Sequence, residues 1–417
     1  MPPFTVLSDT DVQSILHGLT PAEAQSLATV LEDAFIEYSC HGDAQHQPHR
    51  SVTTRPIAAH PDESTTSPST STTTSSATSL FMPATTPRHL GVKIVGIAAT
   101  ASESSSSSAK STQRDDSTQQ QTKKPPPPGL KSILTLCTAT GQPLGVLNAA
   151  ELTGFRTALG SMLLYRLRRN TQKVVVFGAG KQAEWHIRLA VLLRGADIQE
   201  IVIVNGNKDR AKGLVDKLTG GGGKWPEGIA LRVFRPNSDG SGGDGGDGLE
   251  DLVVDADVLF FTTPSKTPLF PARYLLSDRA RQKTRYFGAI GSYQLDMAEI
   301  DPELIAAVGG EQGLDAPFAS QVWQGQIVVD SREACVHEAG EFVKSGLSPE
   351  KWLDVGQVVT NLRAGGGFGD HQAMSTWLED GFVIYKSVGV GIMDVAIGSE
   401  LLGLAQKKVV GTTIESF

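Results

Sequence analysis

The stretch Lys173-Val-Val-Val-Phe-Gly-Ala-Gly-Lys-Gln-Ala183 decides the fold of this chain. Its β-branched and aromatic residues predict a buried strand, Gly-x-Gly-x-x-Ala predicts a tight turn, and an apolar helical pattern follows from Glu184. In such a turn Gly178 makes the bend, Gly180 lets a phosphate approach the backbone, and Ala183 packs the helix on the strand. The free N–H groups at the positive helix end favour a pyrophosphate. We therefore predict dinucleotide contacts at Gly178, Ala179, Gly180 and Gln182.

An ordinary tight turn is the alternative, because glycine-rich turns are common in loops. A second predicted strand at Glu200–Asn205, in the position that a dinucleotide-binding unit requires, favours the dinucleotide interpretation. Further strands are predicted at Val258–Thr262, Arg285–Ile290 and Gln326–Val329. Strands that alternate with helices predict an α/β fold with a Rossmann-type, doubly wound parallel sheet and a ligand at the carboxyl ends of its strands.

The N-terminal part of the chain predicts a second, α+β domain. Strands are expected at 4–7, Leu90–Ile97, Ser132–Cys137 and Leu144–Leu147, and helices at Asp9–His17, at Pro21–Tyr38 with Thr20 as its cap, and at Thr157–Arg168. A last helix at Gly391–Leu404 has apolar spacing and is expected to pack back onto this domain. We therefore divide the chain into a first domain at 1–156, a nucleotide-binding domain at 157–378 and a returning segment at 379–417.

Three segments have the composition of insertions. Residues 61–79 are almost all Ser, Thr and Pro, residues 101–128 run from a serine tract to four prolines, and residues 219–248 are rich in Gly, Asp and Ser. Such sequences bury too little apolar surface to offset the entropy of ordering them. We expect them to be disordered.

Composition excludes several classes of protein. The 417 residues carry a net charge of −8 with scattered basic residues, which argues against a nucleic-acid partner. The three cysteines lie far apart, as expected in a reducing compartment, and exclude a disulfide framework. We expect neither a membrane span nor a secretory leader, and therefore a cytoplasmic protein.

The end of the second predicted strand indicates the cofactor. An acidic residue there binds the ribose hydroxyl of NAD, whereas basic or small polar residues admit the phosphate of NADP. Asn205, Asn207 and Lys208 occupy this position, so NADP(H) is favoured, while Asp209 keeps NAD(H) open. Thr263, after the strand at Val258–Thr262, is either a cofactor contact or a turn residue.

The motifs together resemble the ornithine cyclodeaminase/mu-crystallin family. They are Gln47-Pro-His-Arg-Ser-Val52, Met82-Pro-Ala84 with Lys93, Leu152-Thr-Gly-Phe-Arg-Thr-Ala158, the glycine-rich turn, the segment Asp257–Pro268, Gly288-Ala-Ile-Gly-Ser-Tyr with Asp296 and Glu299, the segment Asp330–Gly340, and Ser387-Val-Gly-Val-Gly-Ile-Met-Asp394. The resemblance covers nearly all of the chain outside the insertions. It implies a homodimer in which residues 1–156 and the C-terminal helix form the substrate-binding and dimerisation domain.

The resemblance also implies a carboxylate-binding set of Arg50, Lys93 and Arg156. Guanidinium groups bind carboxylates bidentately, and a lysine adds a compact charge or a proton. Each residue has a structural alternative: Arg50 as a loop charge with Arg55 in its place, Lys93 as a half-exposed strand residue, and Arg156 as a surface residue at a helix start. Family positions on the cofactor side match Gly291, Glu338 and Ser387.

Two positions depart from the cyclodeaminases. Members with that activity carry an aspartate where this chain has Tyr293 and a glutamate where it has Leu80. A phenol cannot act as the carboxylate base of ammonia loss and ring closure. The cofactor site and the carboxylate-binding set, which are enough for hydride transfer to a C=N carbon, remain.

Three functions stay open. The first is an NAD(P)H-dependent reductase of small 2-imino acids such as cyclic ketimines, or the reverse amino-acid dehydrogenase. The second is an ornithine cyclodeaminase-like ammonia-lyase with bound NAD, and the third is a mu-crystallin-like protein that binds NADPH and a small ligand. A metal site is not expected, because His41, His46 and His49 lie in a polar stretch without supporting carboxylates.

Overall fold

The protein folds around two β-sheets. A computed structural model describes residues 3–42, 47–57, 75–98, 131–220, 225–236, 248–310, 327–364 and 371–417. Its strands are β1 (Phe4–Leu7), β2 (Ser51–Ile57), β3 (Ser75–Thr85), β4 (His89–Ala98), β5 (Lys131–Thr138), β6 (Pro143–Asn148), β7 (Lys173–Phe177), β8 (Glu200–Val204), β9 (Ala230–Phe234), β10 (Val258–Phe261), β11 (Tyr286–Ala289), β12 (Ile327–Val329), β13 (Trp352–Asp354), β14 (Val383–Lys386) and β15 (Thr412–Ile414).

Helices cover both sheets. They are α1 (Asp9–His17), α2 (Pro21–Cys40), α3 (Ala150–Tyr165), α4 (Lys181–Arg194), α5 (Lys208–Gly220), α6 (Leu249–Asp255), α7 (Arg273–Leu276), α8 (Asp278–Arg281), α9 (Pro302–Gly309), α10 (Arg332–Glu338), α11 (Gly340–Lys344), α12 (Val355–Ala364), α13 (His371–Asp380) and α14 (Gly391–Lys408). Thr20 caps α2 as predicted, and its hydroxyl accepts a hydrogen bond from the Glu23 N–H.

The first sheet is mixed and has the order β15-β1-β6-β5-β4-β3-β2. One of its faces is apolar and lies under α14, which also packs on α2 and α3. Met82, Lys93 and Leu134 are paired neighbours across β3, β4 and β5 on this buried face. The C-terminal helix therefore returns to the N-terminal sheet, which confirms the prediction for Gly391–Leu404.

The second sheet is parallel throughout, with the order β13-β12-β14-β11-β10-β7-β8-β9. Its central strands β7 and β10 are almost entirely buried, as expected for strands covered by helices on both faces. The predicted doubly wound parallel sheet is confirmed. Its crossover point lies beside β7, so the glycine-rich turn after Phe177 stands where open α/β sheets bind ligands.

Several sequence-based boundaries need correction. The helix predicted at Thr157–Arg168 is α3, which begins earlier, at Ala150, and ends at Tyr165. Its first two turns carry Glu151 and Arg156, whose charges are buried because each has an ion-pair partner. It crosses the boundary set after residue 156. The boundary after residue 378 is too early, because β14 pairs with β11 and β12 in the parallel sheet.

Two of the predicted insertions contain regular structure. Residues 75–79 of the first belong to β3, where backbone pairing with β2 and β4 outweighs their polar composition. The third contains β9, which pairs with β8 in the parallel sheet. Residues 61–74, 101–128, 221–224 and 237–247 lie outside the described residues. Within the described ranges, no helix is long and apolar enough to cross a membrane.

Candidate active site

The glycine-rich turn has the geometry that a pyrophosphate needs. Gly178 has φ +119°, and a Cβ there would overlap the Thr262 side chain, so glycine is required for both backbone and space. A Cβ at Gly180 would meet no atom within 4 Å, which leaves its backbone open to a ligand. Helix α4 begins at Lys181, directly after this opening. The residues present therefore fit a dinucleotide phosphate.

Contacts within the turn join it to α3. Gln182 Nε2 lies 3.4 Å from the Thr153 carbonyl oxygen, and Lys181 forms an ion pair with Glu151. Burial would raise the pKa of Glu151, but hydrogen bonds from His17 and Lys181 outweigh it and lower the pKa to about 2. The nucleotide turn is thus fastened to the helix that carries Arg156.

The turn after β8 is polar and exposed. Asn205 Oδ1 accepts a hydrogen bond of 2.8 Å from the Asn207 N–H, and Asn207 Oδ1 accepts one of 3.0 Å from the Arg210 N–H. These contacts cap α5, in which Lys208 is the first residue and is exposed. The structure thus gives the two asparagines a local structural role, and their cofactor contacts stay predictions.

Lys93, Arg156 and Asp394 form a buried charged cluster. Lys93 Nζ lies 2.7 Å from Asp394 Oδ2, and Arg156 Nε donates a 3.2 Å hydrogen bond to Asp394 Oδ1. Lys93 and Arg156 are only 1% and 3% exposed. The structural alternatives, a half-exposed strand lysine and a surface arginine, therefore do not hold.

The cluster lowers the pKa of Lys93 to about 8. Burial is the largest cause and the charge of Arg156 the next, while Asp394 opposes both. Two positive charges share one carboxylate here, so the cluster carries a net positive charge. It can attract an anion, and Lys93 can hold or release a proton near neutral pH.

Arg50 lies in a cavity of about 590 Å³ and contacts Glu338. Tyr38, Met82, His337, Glu338, Gly391 and Ile392 are among its lining residues. Arg55, the alternative to Arg50, is exposed on β2. Burial lowers the pKa of Arg50, and the charge of Arg156 lowers it further, while the charge of Asp330 opposes both. In the structure Arg156 and Lys93 both form ion pairs with Asp394, whereas Arg50 forms a separate ion pair with Glu338.

Asp330, which follows β12 in the parallel sheet, holds the loop after β14 through hydrogen bonds. Its carboxylate accepts hydrogen bonds of 2.6 Å from the Ser387 hydroxyl and 2.7 Å from the Gly389 N–H. A Cβ at Gly389 would lie 2.9 Å from Arg156 Nη1. The loop after β14 therefore supports the Arg156 side chain directly, and Ser387 holds this loop rather than standing free.

Glu299 connects the loops after β10 and β11. It is fully buried and accepts hydrogen bonds from the Thr263 N–H at 2.6 Å and hydroxyl at 2.8 Å. It also accepts bonds from the Gly291 N–H at 2.7 Å and the Ser292 N–H at 3.2 Å. Burial raises the pKa of Glu299 to about 7. The turn-residue alternative for Thr263 agrees with these contacts, and its cofactor contact stays a prediction.

Comparison with known proteins places this geometry in context. No family model matches the chain. The chain is 30% identical over 296 residues to an uncharacterized protein of Saccharomyces cerevisiae, covering 64% of this chain and 72% of that protein. It is 24% identical over 283 residues to a delta(1)-pyrroline-2-carboxylate reductase of Bacillus cereus, covering 66% of this chain and 71% of the reductase.

The fold comparison agrees. The delta(1)-pyrroline-2-carboxylate reductase of Thermococcus litoralis, solved in complex with NADH and L-proline, matches with a TM-score of 0.59 and 17% identity over 98% of this chain and 99% of that one. The chain belongs to the ornithine cyclodeaminase/mu-crystallin family. The resemblance inferred from the motif series is therefore confirmed.

The two positions that depart from the cyclodeaminases of this family are Tyr293 and Leu80. Tyr293 is 37% exposed in the loop after β11. Leu80 lies in β3 between Val52 and Val95 in the strand register. Neither places a carboxylate beside Lys93, so the structure gives the cyclodeaminase alternative no additional support.

Three buried carboxylates of the site were not predicted from the sequence, although all stand in the family motifs: Asp394, Asp330 and Glu299. The sequence around Asp394 could have indicated its role, because this aspartate interrupts the apolar run Gly391–Ile397 at a helix start. A carboxylate in such a run is buried only when a partner compensates it. Among the described residues, no group of three metal-ligand side chains comes together.

Proposed function

We propose that this protein is an NAD(P)H-dependent reductase of small cyclic 2-imino acids, with amino-acid dehydrogenation as the reverse reaction. Membership of the ornithine cyclodeaminase/mu-crystallin family and the open phosphate turn support the oxidoreductase class. The observation that carries the substrate proposal is the Lys93–Asp394–Arg156 cluster, which holds an excess positive charge beside the loop after β14.

Three basic residues would bind the substrate carboxylate. Arg50 faces the cavity, so an entering carboxylate meets it first and competes with Glu338. The positive charge of Lys93 and Arg156 behind Arg50 attracts the same group through a region of low dielectric constant. Arg156 would orient the carboxylate bidentately, which fixes the neighbouring C=N carbon.

Lys93 would supply the proton of the reduction. Its pKa of about 8 keeps most of the group protonated at neutral pH and lets it release a proton to the product nitrogen. Asp394 holds the ammonium group in place through the 2.7 Å ion pair. The dinucleotide, when bound, supplies the hydride.

We further propose that NADP(H) is preferred to NAD(H). No acidic side chain stands at 205–208, where the ribose hydroxyl of NAD is usually bound, and Lys208 is exposed at the start of α5. The Thermococcus litoralis relative was solved with NADH. Both cofactors therefore belong in the test.

A homodimer is also proposed, through the face of the first sheet opposite α14. Phe81 and Ile133 on this face, which flank Ile94 in the strand register, are 38% and 42% exposed. Large apolar side chains that are exposed on one sheet face are typical of a protein interface. A second copy of the chain fits them, because an interface between identical sheets is self-complementary.

The test follows NADPH and NADH absorbance with five- and six-membered cyclic 2-ketimine carboxylates, beside an ammonia assay with ornithine and NAD. We expect oxidation of NADPH and no ammonia. Arg50→Ala and Arg156→Ala should lower kcat/KM at least about 100-fold, while the matched control Arg55→Ala should not change it. Ammonia and proline from ornithine would instead establish the lyase, and tight NADPH binding without turnover would favour a ligand-binding protein.

A further inference from the structure

Two loops at the cofactor edge of the parallel sheet meet on one buried carboxylate. The loop after β10 contributes the N–H and hydroxyl of Thr263, and the loop after β11 contributes the N–H groups of Gly291 and Ser292. All four donors bond to Glu299, which is 0% exposed. One side chain thus accepts hydrogen bonds from both loops.

The approach of the two loops is unusually close. A Cβ at Gly291 would overlap the Thr263 backbone and would lie 2.6 Å from Glu299 Oε1. The loops therefore touch through backbone atoms, and only a glycine fits between them. Their relative position depends on the carboxylate, since four N–H and O–H donors facing each other need an acceptor between them.

A second buried pair extends the junction to the next strand. Lys386, the last residue of β14, lies 3.0 Å from Glu341 Oε1 and donates 2.5 Å hydrogen bonds to the Ser292 carbonyl and hydroxyl oxygens. Ser292 also contacts Glu341. Lys386 and Glu341 are completely buried. The loops of three adjacent strands, β10, β11 and β14, are thereby joined.

The position of this junction in the sheet suggests its role. The glycine-rich turn and β8 lie on one side of β7 and would hold the adenosine half of a dinucleotide. Strands β10, β11 and β14 lie on the other side, where the nicotinamide half would lie. We propose that Glu299 is a positioning residue that holds the loops after β10 and β11 against the nicotinamide half of the cofactor. This inference rests on the proposed function.

The test compares whole and truncated dinucleotides on the full-length protein. Glu299→Gln keeps the size of the side chain, but its amide group has one acceptor oxygen and turns an NH₂ toward the loop donors. Titration calorimetry should show NADPH and NADH binding weakened about tenfold, as expected for loss of charge-assisted hydrogen bonds. Binding of 2′-phospho-ADP-ribose and ADP-ribose, which lack nicotinamide, should change less than about twofold.

Glu303→Gln is the matched control, because Glu303 is exposed on α9 only four residues further on. It should bind all four ligands as the wild type does. Glu299→Asp provides a second variant if Glu299→Gln does not fold. It keeps the charge but is one methylene too short to reach both loops, so it should show the same selective loss.

Three other outcomes would contradict the proposed role of Glu299. Equal weakening of whole and truncated ligands would show a general effect on the fold and overturn the proposal. Unchanged NADPH and NADH binding in both Glu299 variants would also overturn it, while leaving the proposed function intact. A wild-type protein that binds no dinucleotide would refute the proposed function and this inference with it.

Discussion

Glu151, near the start of α3, is buried and forms an ion pair with the half-exposed Lys181, the first residue of α4. The carboxylate is 1% exposed and also accepts a 2.8 Å hydrogen bond from Trp185 Nε1. Its neighbours therefore stabilise the charged form, and the pKa falls to about 2 in the folded protein. The pair joins the glycine-rich turn to the helix that carries Arg156, and the stability of that junction depends on pH.

The first prediction concerns acid stability. Because the folded-state pKa of Glu151 is lower than the unfolded value, its contribution is complete above about pH 4.5 and is lost as the pH falls towards 2. Glu151→Gln should lower the free energy of unfolding at pH 7 by about 2 kcal/mol. Urea denaturation at several pH values measures this. The exposed control Glu250→Gln should match the wild type, and equal stability of both variants would contradict the prediction.

The second prediction concerns the pH dependence of turnover. If Lys93 supplies the proton, imine reduction should decline above pH about 8 as the lysine loses it. Asp394 raises the pKa of Lys93, so Asp394→Asn should lower it and move the decline to lower pH by roughly one unit. Profiles of kcat/KM against pH measure both values. A profile unchanged in Asp394→Asn would exclude Lys93 as the titrating group, and Asp380→Asn, on the surface, serves as the control.

The third prediction concerns the glycine-rich turn. Gly178→Ala places a Cβ against Thr262 in a backbone conformation with φ +119°, so it should destabilise the turn and weaken dinucleotide binding at least about tenfold. Gly213→Ala is the control, because a Cβ there meets no atom within 4 Å inside α5. Thermal unfolding and NADPH titration should show Gly213→Ala equal to or more stable than the wild type. Normal NADPH affinity in Gly178→Ala would place the phosphate elsewhere.

The fourth prediction concerns cofactor choice. Asn205→Asp combined with Lys208→Glu should introduce the carboxylates that bind a ribose hydroxyl and repel a phosphate. The ratio of kcat/KM for NADPH to that for NADH should fall at least about tenfold. Lys212→Glu, one turn further along α5, makes the same lysine-to-glutamate change away from the strand end. A ratio that shifts equally in this control would indicate a general electrostatic effect.

The fifth prediction concerns the proposed dimer. Ile133→Lys places a charge on the exposed face of the first sheet and should convert a dimer into monomers. Light scattering coupled to gel filtration measures the mass. Val409→Lys also adds a charge at an exposed apolar residue, but at the end of α14, and should leave the mass unchanged. A dimer that survives Ile133→Lys would place the interface on another surface.

The elements that could be predicted are those whose own hydrophobic pattern matches the way they pack in the fold. The strand before Gly178 and the helix after it carry their own periodicity, so their positions were predictable. Residues 75–79 carry no such periodicity and were not predicted. Their Ser and Thr residues belong to β3, the strand between β2 and β4, through backbone pairing that composition does not show.

The residues of the candidate site could be predicted from the sequence, but their ion-pair partners could not. Lys93 and Arg156 could be named from their motifs, yet the sequence does not show that both bind Asp394, 238 positions beyond Arg156. Similarly, Glu338 was expected near the cofactor, and the structure places it against Arg50. Such partners depend on how α14 returns to the first sheet, which is a property of the whole fold.

Helix α3 has a consequence for regiochemistry. It carries Glu151, which is paired with the glycine-rich turn, and Arg156, which we propose binds the substrate carboxylate, on one uninterrupted helix. Five residues of helix separate them by about 7.5 Å along its axis, and this spacing cannot vary as a loop would. We expect the substrate carboxylate to be held at a constant offset from the dinucleotide. The carbon bonded to the carboxylate, and not one further along the substrate, would then receive the hydride.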